Sequence, residues 1–64
     1  MKNVLVEVTD GNYDNIGERF FVQVTGRIKE VAEILEENFP NGIECDIIGV
    51  YDDDMADLMG YDTI

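Results

Sequence analysis

The sequence predicts a small α+β domain of order ββαβ with a short terminal helix, in which a three-stranded, mainly antiparallel sheet carries one helix on one face. Three observations predict it. "NVLVEVT" and "RFFVQVT" alternate with period two and are rich in β-branched and aromatic residues. "GRIKEVAEILEENFPNG" repeats its apolar residues at helical spacing and ends in turn formers. "IECDIIGVY" then returns to alternation. At 64 residues the chain is one domain, residues 1–64, near the lower size limit for folding on a single core. Its 45% hydrophobic content argues for order in spite of a net charge of -11, a balance at which poorly apolar chains stay unfolded.

The first strand sets Val4, Val6 and Val8 on one face, with Leu5, Glu7 and Thr9 on the other. The second sets Phe20, Val22 and Val24 against Phe21, Gln23 and Thr25. "DGNYDNIGE" joins them, too long for a two-residue hairpin turn. The helix is expected to cap at Thr25 or Gly26 and to stop at Pro40, Asn41 and Gly42. Ile28, Val31, Ala32, Leu35 and Phe39 form its core stripe, and Glu30, Glu33, Glu36 and Glu37 its outer side. In the third strand Cys45 and Ile47 point inward, Glu44 and Asp46 outward, and the broken alternation around Gly49 predicts a bulge. Asp52 or Asp53 then caps a last short helix carrying Met55, Leu58 and Met59 to Gly60.

One helix covers only one face of such a sheet, which leaves Leu5, Phe21 and either Ile48 or Val50 to be covered otherwise. The expected cover is the terminal helix, through Met55, Leu58 and Met59; the other is a second copy, making the protein a homodimer instead of a monomer.

The residue types exclude most chemistry. There is no histidine and no serine, and Cys45, the one cysteine, has no evident base, so the chain reads as no enzyme and as needing no cofactor. A disulfide within the chain and a zinc cluster are excluded on the same count. A lone thiol and the lack of any long apolar run point to a soluble protein of the cytoplasm. Asp10, Asn12, Asp14 and Glu18 are spaced like the opening ligands of an EF-hand calcium loop. The sixth position is Asn15 where that family has glycine, and the twelfth is Phe21 where it has a bidentate glutamate, so an Asx-rich connecting loop is the preferred reading.

Charge placement is the main functional signal. Residues 1–29 hold four acids and four bases, whereas residues 30–64 hold eleven acids and no base. Such a half repels nucleic acid and anionic membranes, so neither is a direct partner, and it attracts basic surfaces. Carboxylates three or four apart on a helix lie about 5–6 Å apart, a spacing comparable to that of backbone phosphates. The predicted partner-binding residues are Glu30, Glu33, Ile34 and Glu37 of the first helix, then Glu44 and Asp46. Asp52, Asp53, Asp54, Met55 and Asp57 of "YDDDMAD" complete the set, with Ile34 and Met55 as apolar grip. No metal ligands are assigned.

In size, charge and lack of catalytic residues, the whole chain resembles the small acidic inhibitors encoded by phages and mobile elements, such as anti-CRISPR proteins and uracil-DNA glycosylase inhibitors. That resemblance implies a DNA mimic in the host-cell cytoplasm, which blocks a nuclease, CRISPR effector or repair enzyme at its nucleic-acid site. A small structural or regulatory subunit that dimerises through the uncovered sheet face is the second expectation, and a calcium-binding module the third.

Overall fold

The computed structural model describes residues 1–11 and 16–64. Asn12 and Asp14, on which the calcium reading depends, lie outside the described residues. The chain forms β1 (Lys2–Gly11), β2 (Arg19–Val24), α1 (Lys29–Asn38), β3 (Ile43–Tyr51) and α2 (Asp53–Met59). The strands make an antiparallel sheet of order β2-β1-β3, so the first strand is central and the domain is α+β.

Period two does the sorting. Val4, Val6 and Val8 pack with Phe20, Val22 and Val24 on one face, where Val31 and Leu35 of α1 close the core. Phe39 adds its ring to Phe20, with centroids 6.0 Å apart. The other face holds Leu5 and Phe21, both fully buried. Their cover comes from within the chain, though not from the side chains the sequence suggests. Tyr51 and Tyr61 set their rings edge-on to Phe21 at 6.2 and 5.9 Å. The segment after α2 then pairs with the outer edge of β2: the Phe21 N–H donates to the Asp62 carbonyl at 2.8 Å, and the Ile64 N–H to the Phe21 carbonyl at 2.9 Å. Leu58 is 82% exposed and Met55 47%, leaving only Met59 of that trio half-buried.

The bulge falls beside Gly49. Val6 pairs with Ile47 and Leu5 with Gly49, so Ile48 has no partner on β1. Gly49 itself makes room for Tyr51, whose hydroxyl would lie 3.0 Å from a Cβ at that position. α2 begins at Asp52, whose Oδ1 accepts the Met55 N–H at 2.9 Å, and ends at Gly60 in the left-handed conformation that glycine adopts without strain.

α1 starts later than its turn residues suggest, with Ile28 at the cap and no side-chain bond there. Glu30 organises the approach instead. Its carboxylate accepts from the Thr25 hydroxyl at 2.7 Å and from the N–H groups of Gly26 and Arg27 at 3.2 and 3.0 Å. The helix also leans toward β2. Of the sequence's core stripe only Val31 and Leu35 are buried; Phe39 is half-buried, and Ile28 and Ala32 are exposed. Ile34, expected beside the acids, is half-buried against the core. The two-layer arrangement therefore leaves the α1 side of β3 open.

Candidate functional site: the acidic surface

The two helices lie on opposite faces of the sheet, and that divides the carboxylates the sequence groups together. α1 sits on the valine face. α2 sits on the other, tied down by Asn3, which is 3% exposed. Asn3 Nδ2 donates to Asp53 Oδ1 at 2.8 Å and to the Tyr51 carbonyl at 3.4 Å, and its own Oδ1 accepts from Gln23 at 3.4 Å. A buried amide satisfied in this way locks α2 onto the start of β1.

Glu44 and Asp46 alternate with Ile43 and Cys45, which pack toward α1, so both carboxylates belong to the α2 side of the sheet. Asp46 stands opposite Glu7, and Glu44 opposite Asp10. Counting along β1 from Asn3 at about 3.3 Å per residue, Asp46 lies about 13 Å from the Asp53 end, and Glu44, two residues further along β3, about 20 Å. The structure thus gathers Asp52, Asp53, Asp54, Asp57, Asp46 and Glu44 along one side. Glu33 and Glu37 lie on the other layer, exposed on the outer surface of α1.

Glu30 stands apart from both groups. The Arg27 N–H, then the Thr25 hydroxyl and the Gly26 N–H, hold its carboxyl at about 2, far below its ordinary value. Its charge is spent on hydrogen bonds that close the β2–α1 turn. Of the apolar grips, Met55 is available and Ile34 is largely withdrawn into the core.

Three contributors escape a reading by sequence halves. Asp10 and Glu7 belong to the balanced half yet face Glu44 and Asp46 across the strand pair. Glu7 is neutralised by Arg19, whose Nε donates to it at 3.0 Å; this bond and a weaker one donated to the Tyr61 oxygen raise the guanidinium pKa. Leu58 is the most exposed large apolar side chain among those described. Register and burial place all three, and no local pattern in the sequence carries either.

Among the described residues, Arg19–Glu7 is the one salt bridge, so none of the eleven acids of residues 30–64 is ion-paired. No three carboxylates or thiols among the described residues converge as a metal site requires, and no helix is long and apolar enough to cross a membrane. No protein family, no curated protein and no solved structure matches the chain.

Proposed function

We propose that the protein is a non-enzymatic acidic binding module that occupies the nucleic-acid site of a basic partner protein, its carboxylates standing in for phosphates. One observation carries this reading: the acids sit where the fold loses by holding them. Glu44 faces Asp10 directly across the β1–β3 pair, and like charges at such positions destabilise a sheet. Glu36 and Glu37 occupy the last turn of α1, and Asp57 the last turn of α2, where the helix dipole disfavours negative charge. Glu33 and Glu37, like Asp53 and Asp57, are like-charged at i, i+4. Solubility is served as well by interspersed signs. A row of carboxylates kept at a cost to a small domain serves something outside the fold. Its span of about 20 Å matches roughly six phosphates along one strand of a duplex at about 3.4 Å each.

Carboxylates on an edge strand also discourage pairing with other chains, which suits β3. That accounts for Glu44 and Asp46 but not for the acids of the two helices.

The test is competition. A basic partner captured from bacterial lysate at graded salt is titrated with labelled nucleic acid in the presence of this protein. The two are expected to exclude one another, with association slowing as salt shortens the screening length to about 8 Å. The paired reversal Asp53→Lys with Asp57→Lys should weaken the complex far more than Glu18→Lys. Glu7 is an unsuitable control because it faces Asp46. Undiminished simultaneous binding of both ligands ends the mimicry reading.

A further inference from the structure

We infer that the open groove between α1 and β3 is a docking seat for a basic amphipathic helix of a partner protein. The inference rests on the proposed function and names the contact through which the acidic module grips its partner. The groove encloses about 600 Å³. Ile28, Ala32 and Phe39 form its wall on α1, and Ile43, Cys45 and Ile47 its floor on β3. Ile28 is 53% exposed, Ile47 47% and Val50, further along the same face of β3, 43%.

These are side chains whose spacing marks them as core. They stay open because α1 sits toward β2, leaving one strand of the valine face without a second layer. Strands lie about 4.8 Å apart and a helix is about 10–12 Å across, so a single helix displaced toward one edge leaves the far strand bare. The vacant space is straight, floored by a strand and walled by a helix. A second helix beside α1, at the usual interaxial distance of about 8–10 Å, fills such a space. From Ile43 to Ile47 the floor runs about 13 Å at 3.3 Å per residue, the length of about nine helical residues at 1.5 Å, and Val50 continues the same face beyond the bulge. An occupant with apolar side chains at i, i+3, i+4 and i+7 meets it along one stripe.

Charge selects the occupant. Glu36 stands on the wall, and no base lines the groove. The flanks of the incoming helix must then be lysine or arginine. A second copy of this chain is a poor occupant: it brings a net charge of -11, and both of its helices lie in a half whose residues beyond Lys29 include no base.

Cys45, the chain's one cysteine, lies half-buried on the groove floor and reports occupancy. The probe is a capped peptide of about sixteen residues, with leucine at helical spacing and lysine on the remaining face. Its control is the same composition permuted to destroy the stripe. Fluorescence anisotropy measures binding at about 0.15 M salt, where diffuse attraction is screened, and the alkylation rate of Cys45 is followed in parallel. The striped peptide is expected to bind roughly tenfold or more tightly than the permuted one and to slow alkylation severalfold. Ile47→Asp and Ala32→Glu, both at exposed positions on opposite walls, should each remove that preference while the circular dichroism stays native. Equal binding of both peptides with no protection of Cys45 overturns the groove, leaving the acidic-surface reading intact. Protection that is indifferent to salt and to Glu36→Lys overturns the basic character of the occupant, and the proposed function with it. A dimer by light scattering, with Cys45 already shielded and released by Ile47→Asp, overturns it in favour of a second copy. Failure of the striped peptide to bind at all overturns it outright.

Discussion

β1 and β3 are neighbours in one sheet, yet they are built for different work. β1 is central and holds Val4, Leu5, Val6 and Val8 almost wholly out of water. β3 is an edge, and none of its nine residues is buried. The same contrast separates the halves of the chain. Except for Val31 and Leu35 of α1, the buried core lies in the first 24 residues, within the half (residues 1–29) whose acids and bases balance. The later half supplies the unpaired acids, the open groove and the exposed α2. Stability rests on the first segment and the proposed recognition on the second, so each can be disturbed without the other.

The largest effect should come from the shared core. Phe21→Ala removes a fully buried ring that Tyr51 and Tyr61 pack against. The expected loss of about 3–5 kcal/mol equals what a core this small supplies. Urea titration should find that variant unfolded in buffer, whereas Leu58→Ala, on the exposed side of α2, should stay within about 0.5 kcal/mol of the parent. A folded, stable Phe21→Ala protein breaks the division of labour.

Next in size is the joint between the halves. Asn3→Ala leaves Asp53 without its buried donor, and the cost is expected near 1–3 kcal/mol. Hydrogen exchange should show the loss concentrated at α2, with the β1–β2 pairing less affected.

A smaller and opposite effect sharpens the comparison. Replacing Glu36 and Glu37 together by lysine puts bases where the α1 dipole favours them. Each should raise stability by about 0.3–1 kcal/mol at low ionic strength, and the gain should fade with salt. Binding of the striped basic peptide should weaken in the same variant. Stability and binding moving in the same direction contradicts the claim that these acids serve a partner at the expense of the fold.

The smallest effect concerns Glu30, an acid of the later half that serves the fold. Its folded pKa, about 2, lies below its ordinary 4.5. The depressed value means that its contribution is complete above the ordinary pKa and is lost as pH falls through the folded one. The melting-temperature gap between the parent and Glu30→Ala should therefore be constant at neutral pH and close progressively between about pH 4.5 and pH 2. A gap that persists at the acid end assigns the role to packing instead of charge.

Alternation by itself determined the strands and the two faces of the central hairpin, because period-two patterning is a property of adjacent residues. β3 was legible to its full length, and so were an aspartate cap at Asp52 or Asp53 and the Gly60 stop of α2, since caps and turns are chosen within a few residues; the structure settles the cap on Asp52. The charge split was legible too, as composition. Register was not: that Asp46 faces Glu7 and Glu44 faces Asp10 depends on a strand pairing across some 35 residues or more, and on a bulge that shifts every later partner by one. Nor was the lateral seat of α1, because a helix stripe says which side faces a sheet and not which strand it lies over. That seat decided whether Ile28, Ala32 and Ile47 became core or groove. The cover of Phe21 was decided in the same way, by rings and a tail arriving from distant positions to satisfy an open face and an open edge. Local spacing selects elements through short-range sterics and burial period; how the elements share one small core is settled by packing, which no single segment encodes.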